Sequence, residues 1–500
     1  MHLNKSIISQ WRDVNVNSFV KVVFIGCVSI IQTNCEKLVD IPTPNFAVTG
    51  SNVYTEDATA IAVLNGIYLD MSAASKVFSG ARSISFYTGL SSDELVLYDV
   101  FADESLKKYY QNELVVTGAT VAGFETWAPL YNYVFRCNAA IEGLTVSKTL
   151  TPSVKEQLLG EAILLRAFVY FYLVNLFGDV PLVLSTDYKV NATLARSPKS
   201  QVYQQIIADL NEAKGLLSNN FLNATLQESS NERIRPTKWA AAALLARTYL
   251  YTEKYASAEA EATEVINNST LFTLPELANV FLKNSTEAIW QLQPTDIGYN
   301  TQESVTYMLI PNGPIGGAEK GIFLSPRLLS SFESDDQRRL NGNWVDSIIV
   351  SGTIYYFPNK YKYNPVFDPS TASTADMKEY LMLLRLGEQL LIRAEARAQQ
   401  GNISGSQSDL NSIRRRSGLE NTTANDITSL LAAILHERQV ELFTEFGHRW
   451  FDLKRTEYVD TIMNQVTILK GGIWQSTDQL YPLPLSELQH APNLIQNAGY

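Results

Sequence analysis

Cysteine and histidine are both scarce in this chain, which has three cysteines and four histidines among its 500 residues. Cys27 and Cys35 lie in an N-terminal leader, so removal of the leader would leave Cys137 alone. A disulfide framework is therefore excluded for the mature chain. No group of cysteines and histidines has the spacing of zinc ligands, and the sequence predicts neither a metal site nor a cofactor.

Positive charge is also in short supply. The chain has 40 Lys and Arg against 51 Asp and Glu, a formal net charge of -11, and such a surface would repel a phosphate backbone. The sequence therefore predicts no nucleic-acid partner. The short basic run Arg414-Arg415-Arg416 lies between apolar residues at helical spacing and is interpreted as a solvated or salt-bridged helix face.

One apolar run in the body of the chain approaches the length of a membrane span. It covers residues 162–177, but Arg166 and Asn175 lie inside it and Glu161 precedes it. A central arginine costs about 2.5–3.5 kcal/mol on membrane-insertion scales. We therefore expect a helix that is buried between neighbouring helices.

The leader has the features of an export signal. Three basic residues precede the short, mostly apolar run 22–31, which is too short to span a bilayer as a mature helix. Cys35 follows that run, and a cysteine at the end of an export signal can be acylated and hold a protein on a membrane. We predict lipidation at Cys35. Acylation of Cys27 and an unlipidated secreted form remain alternatives, because residues 32–34 are not the small residues expected before a lipidated cysteine.

Apolar periodicity predicts helix after helix from Thr55 to about Leu282 and again from about Met377 to Leu453. The segment 151–156 contains a Ser-x-x-Glu capping box beside a proline, which predicts a helix start. Residues 178–181, Gly-Asp-Val-Pro, predict its end.

Two segments have the pattern of tetratricopeptide helix pairs. Residues 243–258 place a tight turn near Glu253 between two helices, with a small residue where the second helix crosses the first. Leu386 to Gln400 is followed by Gly401 as a left-handed stop and by a helix from Ser406 to Gly418. Such pairs cannot bury their apolar faces alone, so we expect about four of them, stacked into a superhelix.

The pattern changes between Thr295 and about Thr374, where glycine and proline interrupt every periodic run. The aromatic residues of this stretch are Tyr299, Tyr307, Trp344, Tyr355, Tyr356, Tyr361 and Tyr363. Loops held on a rigid scaffold are where binding residues accumulate. The stretch is therefore predicted to be loop-rich and to carry a ligand-binding surface.

The acidic pairs of the chain do not form a catalytic pattern. Asp93-Glu94 and Asp335-Asp336 are adjacent carboxylates, and adjacency alone does not place two carboxyl groups across a glycosidic bond. The second pair lies two residues before Arg338 and is interpreted as a structural ion-pair cluster. The sequence also lacks a Walker glycine loop, a dinucleotide fingerprint and a serine nucleophile elbow.

The histidines give no metalloprotease motif either, because Val440 stands where the second histidine after His436-Glu437 is required. The densest charged constellation comprises Glu437, Arg438, Glu441, His448, Arg449 and Asp452. These residues alternate with large apolar ones, which predicts a buried structural network rather than a reactive site. We therefore predict that the protein is not an enzyme.

Several long segments, in the same order along almost the whole chain, resemble the SusD/RagB family. They are CEKLVDI at 35–41, EAILLRAF at 161–168, FGDVPL at 177–182, RPTKWAA at 235–241, LNSIR at 410–414, ERQVEL at 437–442, GHRWFDL at 447–453, LYPLP at 480–484 and QNAGY at 496–500. One local departure is Ala498, where the family usually has proline.

The resemblance implies a mainly α-helical protein in which about four tetratricopeptide-like pairs form a right-handed superhelical scaffold beside an irregular, loop-rich ligand-binding face. It divides the chain into a signal peptide at 1–34, an N-terminal helical part at 35–294, a ligand-face insertion at 295–375 and a C-terminal helical part at 376–500. It also implies display on the exterior of the outer membrane and partnership with a SusC-like TonB-dependent barrel that receives an oligosaccharide.

The predicted ligand-binding residues lie outside the repeating helical patterns. They are Arg82, Tyr98, Asp99, Tyr299, Trp344 and Trp474. Tyr and Trp offer flat apolar faces to sugar rings, and Asp and Arg can bind hydroxyl groups. Trp127, Trp239 and Trp450 follow helical patterns and are predicted to be core, and Trp290 lies in a strand-like run. A tetratricopeptide scaffold that binds only protein, and a glycan-cleaving enzyme, remain the alternative functions.

Overall fold

The computed structural model describes residues 53–74, 76–101, 103–116, 123–296, 298–363 and 373–500. The predicted signal peptide, Cys27 and Cys35 lie outside the described residues. Residues 50–500 cluster as one compact unit. The regional boundaries at residues 294 and 375 stay predictions.

Helices dominate the described residues, as the sequence predicts. The first nine are Asp57–Ser72 (α1), Ile84–Ser91 (α2), Glu104–Gln111 (α3), Phe124–Val146 (α4), Pro152–Phe177 (α5), Tyr188–Asn191 (α6), Lys199–Leu216 (α7), Lys238–Tyr251 (α8) and Tyr255–Ile266 (α9). The others are Gln302–Tyr307 (α10), Pro326–Ser331 (α11), Leu386–Gln399 (α12), Ile403–Arg416 (α13), Ile427–Glu441 (α14), His448–Arg455 (α15), Val459–Leu469 (α16) and Leu485–His490 (α17).

Within the described ranges, six short strands form three two-stranded antiparallel sheets. They are Leu95–Leu97 (β1), Ala288–Leu292 (β2), Ile322–Leu324 (β3), Val345–Val350 (β4), Thr353–Pro358 (β5) and Leu381–Arg385 (β6). The pairs are β1 with β3, β2 with β6, and β4 with β5. Single turns of 3-10 helix occur at Leu277–Asn279, Gln337–Arg339, Thr374–Asp376 and Ser476–Gln479.

The scaffold is a row of helices, most of which pack on a helix close to them in the chain, whereas α9 packs on the distant α12. Helix α4 packs on α5, α5 on α7, α7 on α8, α8 on α9, α9 on α12, and α12 on both α13 and α14. Both predicted helix hairpins are present, with Glu253 (φ 58°) and Gly401 (φ 78°) in the left-handed region at their turns. Their likeness to tetratricopeptide units, and a right-handed superhelix, stay predictions.

Helix α5 is the apolar helix of the sequence prediction, and it is buried. Among the described residues it is the one helix long and apolar enough to cross a membrane, and 94% of its most apolar window is buried. Arg166 donates to both carboxylate oxygens of Asp209 on α7 at 2.8 and 2.7 Å, and to the side-chain oxygen of Asn138 at 3.0 Å. The central arginine therefore ties neighbouring helices together.

The ends of α5 confirm one predicted signal and correct the other. Gly178, with φ 74°, ends the helix as predicted. The predicted Ser-x-x-Glu capping box is wrong, because Thr151 is the N-cap and Pro152 the first helical residue, which puts Ser153 inside the first turn. The proline, with its fixed φ and missing N–H, suits that first position.

The second helical segment begins later than predicted. Residues from Leu381 to Arg385 form strand β6, and all five are buried. A fully buried strand has apolar residues on both faces, so its sequence lacks the alternation that distinguishes strand from helix. Its partner β2 is the strand-like run that contains Trp290.

The stretch predicted as loop-rich is more ordered than the sequence suggests. It contains α10, β3, α11 and the β4–β5 hairpin, whose turn residues Ser351 and Gly352 have φ values of 50° and 84°. Positive φ at both central residues is the geometry of a type I′ turn, which matches the twist of the flanking strands. The Ser-Gly pair between two apolar runs is the sequence signal for this hairpin.

A group of buried charges joins α14 to the two sheets beside it, and we call it the Arg385 cluster. Its members are Arg338, Lys360, Arg385 and Arg416 with Glu287, Glu437, Glu441 and Glu445. Arg385 of β6 lies 2.7 Å from Glu287, 2.6 Å from Glu441 and 2.8 Å from Glu445. These positive charges lower the pKa of Glu441 well below its ordinary value, against the effect of burial.

The other predicted charge clusters are also confirmed as structural. Within the 437–452 constellation, Arg438 pairs with Asp452 at 2.7 Å and Arg449 pairs with Asp93 at 2.7 Å, and all four side chains are buried. In the acidic pair at 335–336, Asp336 is buried 2.7 Å from Arg338. The basic run at 414–416 is ion-paired at both ends, to Glu333 and Glu287.

Two buried lysines, Lys470 and Lys360, and the half-buried Lys454 bind backbone carbonyl groups where helices end. Lys470 donates to Leu90 O at the end of α2 at 2.6 Å, Lys360 donates to Glu441 O at the end of α14 at 2.8 Å, and Lys454 donates to Asn175 O near the end of α5. The last carbonyls of a helix lack intrahelical partners and carry the negative end of its dipole. Burial lowers the pKa of Lys470 to about 7 and that of Lys360 to about 8.

Glu94 is a buried carboxyl group directly before β1. Its Oε1 accepts a hydrogen bond from the Thr444 backbone N–H at 3.3 Å. Burial, followed by the neighbouring charge of Asp93, raises the pKa of Glu94 to about 8. The folded state therefore holds this proton more tightly than the unfolded chain, where glutamate has a pKa of about 4.3. The free energy of unfolding is expected to fall as the pH rises from about 4 to about 8.

The first prediction concerns the Arg385 cluster. Arg385→Met removes one partner of three buried carboxylates and is expected to lower the free energy of unfolding by about 3–5 kcal/mol. Urea unfolding of the purified protein measures it. Arg415→Met, at an exposed arginine, is the matched control and should change the value by less than about 0.5 kcal/mol. A loss below 1 kcal/mol for Arg385→Met would contradict the role given to this residue.

The second prediction concerns Glu94. Glu94→Gln keeps an oxygen acceptor for Thr444 but cannot ionise, so its advantage over wild type should grow between pH 5 and pH 8, with a slope approaching about 1.4 kcal/mol per pH unit. Urea titrations at pH 5, 6.5 and 8 give the difference. Glu276→Gln, at an exposed carboxylate, should show no such trend. A pH-independent difference for Glu94→Gln would rule out a proton on Glu94.

Candidate functional site

Three aromatic side chains meet where β1, β3 and β5 come together. The Tyr98 N–H donates to Gly321 O at 2.9 Å, which continues the β1–β3 pairing to the position of Tyr98. The Tyr98 ring lies 5.9 Å from the Tyr355 ring, and the Tyr355 ring lies 5.2 Å from Phe323, both edge to face. Tyr98 is 48% exposed. Tyr98, Phe323 and Tyr355 together are called the aromatic face.

Polar residues follow Tyr98 along the chain. Asp99 Oδ1 accepts from the Phe101 N–H at 2.9 Å and so fixes the turn that projects Phe101, whose side chain is 83% exposed. Asp103 caps α3 by accepting from the Ser105 N–H at 2.9 Å. Arg82 is exposed and lies 3.5 Å from the Asp103 carboxylate. The predicted residues Arg82, Tyr98 and Asp99 are therefore held around one short segment, 98–103.

Helix α10 connects the Arg82 turn to the aromatic face. Glu303 Oε1 accepts from the Gly80 N–H at 2.9 Å, and a Cβ on Gly80 would lie only 2.7 Å from Gln302 Cβ. At the other end of α10, Thr306 O accepts from the Lys320 N–H at 2.9 Å, immediately before β3. Burial raises the pKa of Glu303 to about 7.

Tyr299 lies just before α10 and is half-buried. Its N–H donates to Asp296 O at 3.1 Å. The structure thus places Tyr299 on the segment that leads into the helix beneath the Arg82 turn. A role of Tyr299 in ligand contact stays a prediction.

The structure contradicts the placement of Trp344 and Trp474 on an exposed surface. Trp344 is fully buried, donates to Leu277 O at 3.0 Å and packs 5.4 Å from Phe281. Trp474 is 8% exposed and donates to the Asp460 carboxylate at 2.8 Å. Irregular chain does not imply exposure, because a tryptophan whose indole N–H finds a partner is readily buried in a loop.

Other tryptophans lie largely as predicted. Trp127 and Trp450 are buried in the core, and Trp239 is partly buried against it. The residues that the sequence prediction missed at the site are Phe101, Phe323 and Tyr355, the last of which was noted only as one aromatic residue of the loop-rich stretch. Phe323 belongs to a three-residue strand that is too short for a periodic signal. Phe101 could have been predicted as an exposed binding residue, because it is a lone aromatic residue in an acidic, polar segment.

A separate cavity of about 440 Å³ lies between α1, the loop before α8 and the end of β2. Its walls include Tyr68, Asn65 and Arg235. Arg235 is committed to a buried pair with Glu161 at 2.7 Å. The six predicted ligand residues are not among those that line this cavity.

The paired carboxylates have no catalytic geometry. Asp93 is buried against Arg449, and Glu94 is buried directly before β1, so neither is accessible to a substrate. Among the described residues, no group of three or more His, Cys, Asp or Glu side chains is placed to hold a metal ion.

Family models match two parts of the chain. Residues 86–250 match a SusD-like family described as starch-binding and associating with the outer membrane. Residues 346–500 match the SusD family. Both segments flank the stretch that contains α10 and β3.

Curated relatives match over nearly their full length. SusD-like protein P2 of Formosa agariphila is 26% identical over 96% of this chain and 99% of its own length. A SusD-like protein of Bacteroides ovatus is 23% identical over 87% of this chain and 82% of its own.

Solved structures share the fold. A SusD homologue from Bacteroides thetaiotaomicron has a TM-score of 0.72 at 20% identity and covers 90% of this chain and 98% of its own. A laminarin-binding SusD-like protein gives 0.69 at 24%, covering 89% and 100%. Surface glycan-binding protein A from Bacteroides fluxus gives 0.70 at 21%, covering 88% and 99%. The resemblance drawn from the sequence is confirmed, and the chain belongs to the SusD/RagB family.

Proposed function

We propose that this protein binds an oligosaccharide at the aromatic face on the outer surface of the cell and delivers it to a SusC-like TonB-dependent barrel. The observation that carries the proposal is the packing of the exposed Tyr98 with the half-buried Phe323 and Tyr355, with Asp99 next to Tyr98 in the chain and Arg82 paired to Asp103. Aromatic faces receive the apolar C–H surface of a sugar ring, and carboxylate and guanidinium groups bind its hydroxyls.

The rigidity of the aromatic face suits a binding protein. Tyr98 is held by a backbone hydrogen bond to Gly321, and Tyr355 stands on a six-residue strand paired along its whole length with β4. A surface that is ordered before the ligand arrives loses little conformational entropy on binding. The similarity to a laminarin-binding protein and to a surface glycan-binding protein supports a glycan as cargo.

The membrane side of the proposal rests on the leader and on the family. Cys35 at the end of an export signal would carry the acyl chains, and the family description includes association with the outer membrane. The barrel partner is what the SusD/RagB resemblance implies. We place the protein on the exterior face, where it meets glycans before transport.

We propose that no bond chemistry accompanies binding. Asp93, Glu94 and Asp336 are buried, two of them in ion pairs, which leaves only Asp335 of the two carboxylate pairs exposed. The relatives carry names of binding proteins. Release of reducing ends from laminarin or starch by the purified protein would contradict this part and favour a glycan-cleaving enzyme.

The third prediction tests the aromatic face. Tyr98→Ala and Tyr355→Ala each remove a stacking ring and should weaken glycan binding at least tenfold, about 1.4 kcal/mol. Isothermal titration of the purified protein against laminarin, starch, xylan and mannan measures the association constant. Tyr188→Ala, at a tyrosine that is 74% exposed on α6, is the matched control and should leave it unchanged.

Two results would count against the aromatic face. Equal affinities for Tyr98→Ala and Tyr188→Ala would show that the ligand binds elsewhere. Binding of peptides but of none of the four glycans would favour the protein-interaction scaffold that the helical hairpins also allow.

The fourth prediction tests the anchor. Cys35→Ser should abolish acylation and leave the exported protein in the soluble fraction, because no other segment of the mature chain is predicted to insert into a membrane. Mass spectrometry of the protein expressed with its own leader in a Gram-negative host reads out the acyl chains. Cys27→Ser is the control, and loss of acylation in that variant instead would overturn the assignment.

A further inference from the structure

A groove of about 290 Å³ lies in the helical scaffold and is built from elements other than those of the aromatic face. Its walls come from the α8–α9 turn, α12, α14 and the end of α15. Its size is near the lower end of small-ligand pockets, which hold roughly 300–1,000 Å³. It has room for a ligand of about one or two sugar rings.

One face of α14 forms the apolar wall of this groove. Thr428, Leu431, Ala432 and Leu435 line it and are spaced three and four residues apart, so they lie along a single stripe of the helix. Ala432 is exposed and presents only a methyl group to the groove. The stripe leaves a smooth apolar surface with one hydroxyl at its N-terminal end.

Three tyrosines form much of the remaining wall. Tyr255 begins α9, Tyr458 follows α15 and is 51% exposed, and Tyr251 ends α8 with only 9% of its surface exposed. The Tyr251 hydroxyl is buried and has no hydrogen-bond partner in the described part of the chain. Because that oxygen is closed to solvent, Tyr251 offers a ligand in the groove its ring and not its hydroxyl.

The polar floor of the groove is held in place by ion pairs. Arg455 donates through NH1 and NH2 to both oxygens of Glu395, at 2.5 and 2.8 Å, and through Nε to Asp452 at 2.7 Å. Its guanidinium carbon lies 5.3 Å from the centre of the Tyr251 ring. Glu395 is thereby fixed in one orientation, with lone pairs left to accept from a ligand.

Gln399 lies one helical turn after Glu395 on α12 and also lines the groove. Its side chain is exposed, and its amide offers both a donor and an acceptor to a ligand. Arg455 and Glu395 neutralise each other, and the exposed Glu253 adds a negative charge to the lining, so the groove does not attract an anion. Aromatic walls beside carboxylate, guanidinium and amide groups match a hydroxyl-rich ring better than an anion or a purely apolar molecule.

We propose that this groove is a second saccharide-binding site, which takes one or two pyranose units of a glycan. The choice of a sugar as ligand rests on the proposed function, whereas the groove and its tyrosine-lined wall do not depend on it. Two sites on one rigid scaffold would let a long glycan be held at two points, and linked binding of this kind raises the effective affinity without any new contact.

The experiment uses the full chain with Tyr98→Ala, which disables the aromatic face. Ala432→Trp in that background fills the groove from an exposed position, and Ala260→Trp, at an exposed alanine of α9 outside the groove, is the matched control. Isothermal titration with laminaritriose, maltotriose, cellotriose, xylotriose and mannotriose measures the association constants. Far-ultraviolet circular dichroism and thermal unfolding confirm that both variants fold.

We expect at least one trisaccharide to bind the Tyr98→Ala protein, Ala432→Trp to lower that association constant at least tenfold, and Ala260→Trp to leave it within twofold. No binding to the Tyr98→Ala protein when wild type binds would overturn the second site and leave the aromatic face intact. Equal effects of the two tryptophan variants would also overturn it. If the wild type binds none of the five sugars, both proposals are contradicted. If Tyr98→Ala leaves binding unchanged and Ala432→Trp abolishes it, only the role of the aromatic face is contradicted.

Discussion

The packing of the helical body depends on the guanidinium group of Arg385. This group lies within 2.8 Å of three carboxylates: Glu287 directly before β2, Glu441 at the end of α14 and Glu445 just beyond it. Each charge in this cluster has lost its water, so each is stable only while its partners stay in place. The cluster therefore fixes the register between segments that are far apart in sequence.

The residues that follow α14 also hold the strands of the aromatic face in place. Lys360, two residues after β5, donates to Glu441 O and lies 2.5 Å from Glu445, so the strand that carries Tyr355 is tied to the cluster. Glu94, just before β1, accepts from the backbone of Thr444 in the same segment. The rings of Tyr98 and Tyr355 thus stand on two strands that are anchored to one short stretch, 441–445. A binding face of this kind is rigid because its supports are buried, whereas the rings themselves remain accessible.

Much of the scaffold could be predicted from the sequence, and the reasons are physical. Helices such as α5 and α12 have long apolar periodicity and are followed by glycines that end them, Gly178 and Gly401. These signals are local in sequence, so tertiary packing does not change the helices that they predict. The family segments lie mostly on those helices. Strand β6 was missed because burial on both faces removes the alternation of a strand, and the hairpin β4–β5 was missed because glycine and proline around it resemble loop.

The site was harder to predict because exposure is a tertiary property. Tyr98 and Trp344 both occur in irregular chain, yet Tyr98 is half exposed and Trp344 is fully buried against Phe281. Nothing local distinguishes them, since the difference depends on which strands pair and where an indole N–H finds a carbonyl. The partners of Tyr98 in the aromatic face, Phe323 and Tyr355, come from parts of the chain more than two hundred residues away, and only the pairing of β1 with β3 brings them together.

The central claim is that a rigid aromatic face holds an intact glycan. A crystal structure of the protein with a bound oligosaccharide tests it most directly. The account predicts a sugar ring against Tyr98 and Tyr355, an uncleaved chain, and a backbone at 441–445 that does not move on binding. A glycan that leaves both tyrosines uncontacted, or one that is found hydrolysed, would contradict the account.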